Sequence, residues 1–340
     1  MGSCARAPRA FGSVATCAGS YTETATAGEV TAALRGAVDS RCKTPRVCHI
    51  WTPRPAAVYS TPRYAYFVFG RCKVTIASRN EDNLKNAVKD FQERLLQEKE
   101  KDRATFLPCN IRKEDQVKTL VQHTLDKHGR LDFLVNNGGG QFVSPAGNIS
   151  LKGWNAVVET NLTGTFIMCR EAYQQWMEEH GGAIVNVVME NCRGFPLAVH
   201  SGAARAGVEN LTRTLSIEWA ANGVRVNAVM PGVIYSESAA KNYQGDLFGT
   251  IRPRLPAKRS GTTQELSSAV CFLLSPGASY VSGATLVVDA ASRFYPALTF
   301  EIPGRHRKSE PCRFAIQPSG AKITKHEFTS GLEQSNYNMM

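Results

Sequence analysis

The chain has 340 residues, 43% of them hydrophobic, and a formal net charge of +11, enough apolar content for a full globular core. No window is apolar over the roughly 18 residues that a membrane helix needs. The basic excess is concentrated at the start, where residues 1–72 hold eight Arg and one Lys against Glu23, Glu29 and Asp39. No basic groove interleaved with aromatics accompanies it, which argues against nucleic acid as the partner. A solvated or poorly ordered basic segment accounts for the charge, and small anionic ligands remain open.

Ten cysteines are scattered without a C-x-x-C or a zinc-ligand spacing, so they read as reduced thiols. Met1 to Ala15 contains Arg and no acid, a weak match to a transit peptide. The final Tyr337-Asn338-Met339-Met340 is not a peroxisomal S-K-L address.

In chain order, residues 1–69 form an aperiodic, poorly ordered segment, in which Thr52-Pro53-Arg54-Pro55 and Thr61-Pro62-Arg63 break any helix. Val47 to Trp51 and Tyr64 to Phe69 are its apolar runs. From Gly70 the pattern becomes regular. Lys73 to Arg79 reads as a buried strand, and a charged helix follows over Glu81 to Lys99. Ala104 to Asn110 is strand-like. The next helix places Val117, Leu120, Val121 and Leu125 on one face and stops at Gly129. Leu131 to Asn137 is an apolar strand running into Gly138-Gly139-Gly140. A long helix starts at the N-cap Ser150 and reaches His180. Ala183 to Val188 is a strand, and Ser201 to Trp219 a helix with a Val208, Leu211, Leu215 stripe. Arg225 to Val229 is a strand ending before Pro231-Gly232. Gln264 to Leu274 is a helix, Thr285 to Asp289 the last strand, and 297–340 a polar tail.

Strands alternating with helices imply a doubly wound parallel sheet, α/β in class, with ligands at the carboxyl ends of the strands. Ser78-Arg79, Asn110, Asn137-Gly138-Gly139 and Pro231-Gly232-Val233 then share one edge. Glycines after a strand let backbone approach a flat ligand closely. An Arg at a strand end, as Arg79 is, suits a ribose 2′-phosphate. Ser201, Arg205 and Glu209 share one helix face, so Glu209 is within reach of Arg205 as an ion pair.

Taken together, Asn136-Asn137-Gly138-Gly139, Thr160 to Gly164, Ser201 to Val208 and Pro231-Gly232 resemble the ordered signature of short-chain dehydrogenases/reductases over residues 70–296. Phe133 to Phe142, Gly194 to Val208 and Pro231 to Ser236 are most similar to peroxisomal trans-2-enoyl-CoA reductases. The resemblance implies a Rossmann-type sheet, NADPH as cofactor, an enoyl-CoA substrate, a homo-oligomer and a peroxisomal location. It also implies catalytic roles for Ser201, Arg205 and Asn161. Ser78, Arg79, Asn110, Asn137, Gly138, Gly139, Arg205, Pro231, Gly232 and Val233 would line the cofactor.

The chain departs from the family pattern at several places. Ser201 and Arg205 stand where Y-x-x-x-K is usual, and Glu209 stands where the close relatives have Tyr. Val187-Val188-Met189 replace a catalytic Ser. Asp289-Ala290-Ala291 replaces D-G-G. Residues 1–72 lack the T-G-x-x-x-G-x-G turn, so the first βα unit is replaced by unrelated sequence. Val47 to Thr52 lies at about the right distance to stand in for the first strand, and the neighbouring strands are expected to lose ladder partners. A catalytically impaired fold serving as a binding or oligomerisation module is the alternative reading, and a carbonyl reductase a further one.

Overall fold

A computed structural model describes residues 46–51, 72–95, 103–236, 240 and 246–295. In chain order the strands are β1 (Arg46–Trp51), β2 (Cys72–Ser78), β3 (Ala104–Pro108), β4 (Phe133–Asn136), β5 (Gly182–Val187), β6 (Val224–Pro231), β7 (Ile234–Tyr235), β8 (Gly261–Thr262) and β9 (Thr285–Val288). Seven form one parallel sheet in the order β3-β2-β1-β4-β5-β6-β9, while β7 and β8 form a separate parallel pair. The strand order reverses between β1 and β4, the point at which a doubly wound sheet opens a crevice for a ligand.

The N-terminal segment supplies the central strand. β1 pairs with both β2 and β4, with Ile50 opposite Ile76 on one side and Val135 on the other. The expected loss of ladder partners is thus overturned for residues 46–51. A ladder needs only extended backbone with an N–H at each position. Residues 46–51 contain no proline; Pro53 and Pro55 come after the strand. Those prolines, and the place where a glycine turn is usual, lie outside the described residues.

The helices are α1 (Glu81–Leu95), α2 (Glu114–His128), the long α3, α4 (Val199–Glu218), α5 (Leu247–Ile251) and α6 (Thr263–Leu274). α3 is α-helical over Leu151–Val158, Gly164–Ala172 and Glu178–His180, with wider π-turns at Glu159–Thr163 and Tyr173–Met177 between them. The sequence reading carries α1 to Lys99, but residues beyond Leu95 are not described. Ser150 caps α3 as expected, its side chain accepting from the Gly153 N–H. Gly129 ends α2 with φ 75°, a left-handed conformation that glycine adopts without strain.

Strand alternation decides which helix covers which face. Leu134 of β4 and Ile184 of β5 join Val117, Leu120 and Val121 of α2, Met168 of α3 and Leu215 of α4 in one buried cluster. Their neighbours Val135 and Val185 point the other way, against Leu273 and Leu274 of α6. Val74 and Ile76 of β2 pack with Leu84 and Val88 of α1. Both faces are therefore covered, which is why β4 and β5 read as continuous apolar runs. A fully buried Leu or Ile contributes about 1.5–3 kcal/mol relative to exposure.

After β9, Ala290 and Ala291 adopt φ 49° and 64°. A Cβ is disfavoured there, and these are the positions where the family has two glycines. The Asp289 carboxylate holds the turn by accepting from the Ala291 and Arg293 N–H groups at 3.0 Å each. Ala290→Gly and Ala291→Gly are expected to raise stability by about 1 kcal/mol each. Urea unfolding checks this, and unchanged midpoints would refute it.

Candidate active site

The π-turn of α3 is the first element of the site. The helix widens at Glu159–Thr163, and within it Asn161 O accepts from Thr165 Oγ1 at 2.9 Å. The same turn drives the Asn161 side chain into the interior, where it is fully buried; such turns recur at functional sites. Its Oδ1 accepts from the Gly140 N–H at 2.8 Å, and its Nδ2 donates to Gly140 O at 3.0 Å. Nδ2 also donates to Ser201 Oγ at 3.3 Å. One amide therefore ties the loop leaving β4 to the start of α4.

Ser201 is 1% exposed. Its hydroxyl accepts from Asn161 and directs its own proton towards Met189 Sδ at 3.4 Å. A thioether is a weak acceptor. The hydroxyl is thus held in place yet left able to donate to a better acceptor. Met189 occupies this position because the loop leaving β5 carries no serine.

Arg205 lies one turn further along α4. Nη1 donates to Val187 O at 2.7 Å and Nη2 to Gly138 O at 3.0 Å, so the guanidinium bridges the ends of β5 and β4. No carboxylate pairs with it among the described residues. Burial pushes its pKa down to about 10, which still leaves it charged at neutral pH. A Cβ at Gly139 would overlap this guanidinium and come within 2.9 Å of Asn161 Oδ1. Only glycine fits there.

The expected Arg205–Glu209 pair does not form. Glu209 instead pairs with Arg213, one turn in the other direction, and accepts from Thr285 Oγ1 at 3.4 Å. The i, i+4 spacing offered both arginines. Arg205 is drawn inward by two carbonyls, and Arg213, exposed, is left for the carboxylate. Glu209 therefore places no constraint on Arg205.

The remaining sequence-predicted residues sit at strand ends as expected. Ser78 is buried at the end of β2, with Arg79 exposed beside it. The Asn110 side chain is engaged locally, accepting from the Arg112 N–H at 3.2 Å. Pro231-Gly232-Val233 is fastened by Gly232 N–H to Val288 O at 3.0 Å and by Gly261 N–H to Val233 O at 2.9 Å. Asn137 and Gly138 follow β4 beside Gly139. Sequence reasoning missed His200, whose signal was adjacency to Ser201, and gave no role to Met189 or Gly140, although it named both.

Beneath the site runs a buried amide chain. Asn136 Nδ2 donates to Asn186 Oδ1 at 2.9 Å and to Cys169 Sγ at 3.1 Å; Asn186 Nδ2 donates to Thr212 Oγ1 at 2.9 Å. It locks β4, β5, α3 and α4 together, and burial raises the Cys169 thiol to about 12, so it stays protonated. Around the mouth, Phe142, Val143, Phe195 and Leu197 are exposed. A backbone bond from Ser144 N–H to Leu197 O, 2.8 Å, joins the two loops that carry them.

This strand order, with a Ser/Asn/Arg cluster at the carboxyl ends beside the switch point, is that of a short-chain dehydrogenase/reductase. A model described as enoyl-(acyl carrier protein) reductase matches residues 70–290, and the chain belongs to that family. It is 35% identical over 224 residues to a peroxisomal 2,4-dienoyl-CoA reductase of Danio rerio, covering 65% of this chain and 73% of that protein. Among solved structures it is similar to a citronellol catabolism dehydrogenase of Pseudomonas aeruginosa, with TM-score 0.62 and 36% identity over 75% of this chain and 99% of that one. It is also similar to an actinorhodin polyketide ketoreductase solved with NADPH, with TM-score 0.66 and 26% identity over 73% and 97%. The resemblance to short-chain reductases thus holds; the relative found is a dienoyl-CoA rather than a trans-2-enoyl-CoA reductase.

Gly139→Ala is expected to displace Arg205 and weaken NAD(P)H binding at least tenfold, a loss of about 1.4 kcal/mol. Glu209→Gln, by contrast, should leave NAD(P)H affinity unchanged. Fluorescence titration of both variants checks this; equal effects would contradict the geometry.

Proposed function

We propose that the chain is an NADPH-dependent reductase of a carbon–carbon double bond conjugated to a coenzyme A thioester, with trans-2-enoyl-CoA as substrate. The observation that carries this is Ser201, a buried hydroxyl held by Asn161 with its proton on no strong acceptor. A carbonyl reduction ends with a proton delivered to oxygen, for which the family uses a Tyr. Reduction of an enoyl thioester requires only that charge on the thioester oxygen be stabilised while the α-carbon takes its proton. A donor aimed at developing charge suffices for that.

The edge formed by Ser78, Arg79, Asn110, Asn137, Gly138, Gly139, Arg205 and Pro231-Gly232-Val233 fits a dinucleotide, because close packing at Gly139 leaves backbone, not side chain, facing it. When bound, NADPH would supply the hydride. Arg79 would hold the 2′-phosphate, and Arg205 would hold the nicotinamide ribose and add positive charge. Asn161 would keep Ser201 oriented. The exposed apolar rim of Phe142, Val143, Phe195 and Leu197 would take the acyl chain. By family resemblance the chain forms a homo-oligomer.

A 2,4-dienoyl-CoA substrate is the second reading, favoured by the name of the Danio rerio relative. That name also supports a peroxisomal location. The two substrates present the same thioester oxygen to Ser201 and differ in where the hydride lands. The deciding experiment measures NADPH oxidation with trans-2-enoyl-CoA, 2,4-dienoyl-CoA and small ketones in parallel. Turnover of ketones alone would refute both readings. Failure to oxidise NADPH with any of the three would favour a catalytically impaired binding module.

Two variants test the assignments. Ser201→Ala is expected to lower kcat by about 10²-fold or more. Arg79→Ala should weaken NADPH binding by roughly 10- to 150-fold, equivalent to about 1.5–3 kcal/mol, and leave NADH binding nearly unchanged. Equal losses for the two cofactors would count against Arg79.

A further inference from the structure

His200, immediately before Ser201 on α4, is fully buried, and nothing in the fold accounts for its chemistry. Its Nδ1 accepts from the Ser201 N–H at 2.9 Å. That contact places the lone pair on Nδ1 and therefore the proton on Nε2. Nε2 has no hydrogen-bond partner among the described residues. A buried N–H without an acceptor is costly, and native structures rarely keep one without a use.

Packing does not explain the imidazole. The ring meets Phe142 edge-on with centroids 4.4 Å apart, a contact that a hydrocarbon ring would make as well. Capping does not explain it either, since the Ser201 N–H already donates to Ala198 O at 3.0 Å. A second buried donor also lacks a partner. Asn191 Nδ2, on the loop leaving β5, is likewise buried without a partner, and Met189 of that loop touches Ser201 Oγ. Unsatisfied donors thus sit on both segments that converge on the reactive hydroxyl, which itself lacks a strong acceptor. Phe142, 41% exposed, forms part of what covers the imidazole.

We propose that His200 is a second hydrogen-bond donor to the substrate's thioester oxygen, acting from Nε2 beside the Ser201 hydroxyl after Phe142 moves aside. This rests on the thioester reading given above. The imidazole transfers no proton in this role. With Nδ1 facing an N–H, loss of the Nε2 proton would leave an imidazolate, so the ring polarises the oxygen and keeps its hydrogen.

Two substitutions separate the two ring nitrogens. His200→Asn places an amide oxygen near Nδ1 and removes the donor at Nε2. His200→Gln places an amide N–H near Nε2 and removes the acceptor at Nδ1. Both are compared with the wild-type chain in NADPH oxidation with trans-2-enoyl-CoA and 2,4-dienoyl-CoA, alongside NADPH affinity and melting temperature. His200→Asn is expected to lower kcat by about 10- to 100-fold, somewhat less than loss of a principal oxyanion donor, with NADPH affinity and melting temperature unchanged. His200→Gln should recover most of that loss. Wild-type kcat in His200→Asn, or equal losses in both variants, would overturn the proposal while leaving the thioester reading intact. A wild-type chain that oxidises NADPH with neither thioester overturns both.

A second measurement needs neither turnover nor a variant. In wild-type protein labelled with ¹⁵N-histidine and saturated with NADPH, addition of a saturated acyl-CoA should shift the His200 Nε2–H proton resonance downfield. An unchanged resonance at saturating acyl-CoA overturns the proposal whatever the variants do.

Discussion

The site depends on a half-buried cation that has no counter-charge among the described residues. Arg205 is stabilised by two backbone carbonyls, Val187 O and Gly138 O. A planar guanidinium can serve both at once, where the point charge of a lysine ammonium presents no such fork. Because those carbonyls end neighbouring strands, the side chain fixes the spacing of β4 and β5 at the edge where the cofactor would lie. Gly139 is glycine for the same reason: the guanidinium occupies the space of a side chain. Desolvation lowers the pKa of Arg205 to about 10.

Asn161 performs the complementary task for the hydroxyl. A regular α-helical turn at Glu159–Thr163 would aim this side chain elsewhere. The π-turn lets one amide contact Gly140 twice and Ser201 once. Below it, the Asn136–Asn186–Thr212 chain fixes the same strands and helices from inside. Ser201 and Arg205 are thus held by backbone and amide groups. His200 Nε2 and Asn191 Nδ2 are buried without a partner among the described residues.

β1 shows how little a central parallel strand asks of its sequence. The family model begins at residue 70, yet a six-residue run from the unrelated N-terminal stretch completes the ladder. Backbone hydrogen bonds do not distinguish Arg46–Trp51 from another extended peptide. A phosphate-binding turn does make that distinction, since it needs N–H groups that proline lacks. Sheet continuity and cofactor affinity are consequently separable properties of this chain.

By itself, the sequence determined the alternation of strands and helices from Gly70, the Ser150 and Gly129 helix ends, and the strand-end motifs. These follow from period, capping chemistry and glycine placement, all local. It also brought Ser201 and Arg205 onto one helix face, because i, i+4 geometry is a property of the helix alone. It could not say which neighbour Glu209 would choose, since Arg205 and Arg213 are equally spaced from it. The carbonyls of Val187 and Gly138, 18 and 67 residues away from Arg205, settled that by drawing Arg205 inward. Nor could it show the π-turn that aims Asn161, the pairing of β1 between β2 and β4, or the unpartnered nitrogen of His200. Each of these depends on which groups from distant parts of the chain meet in the folded interior, and on which find no partner there.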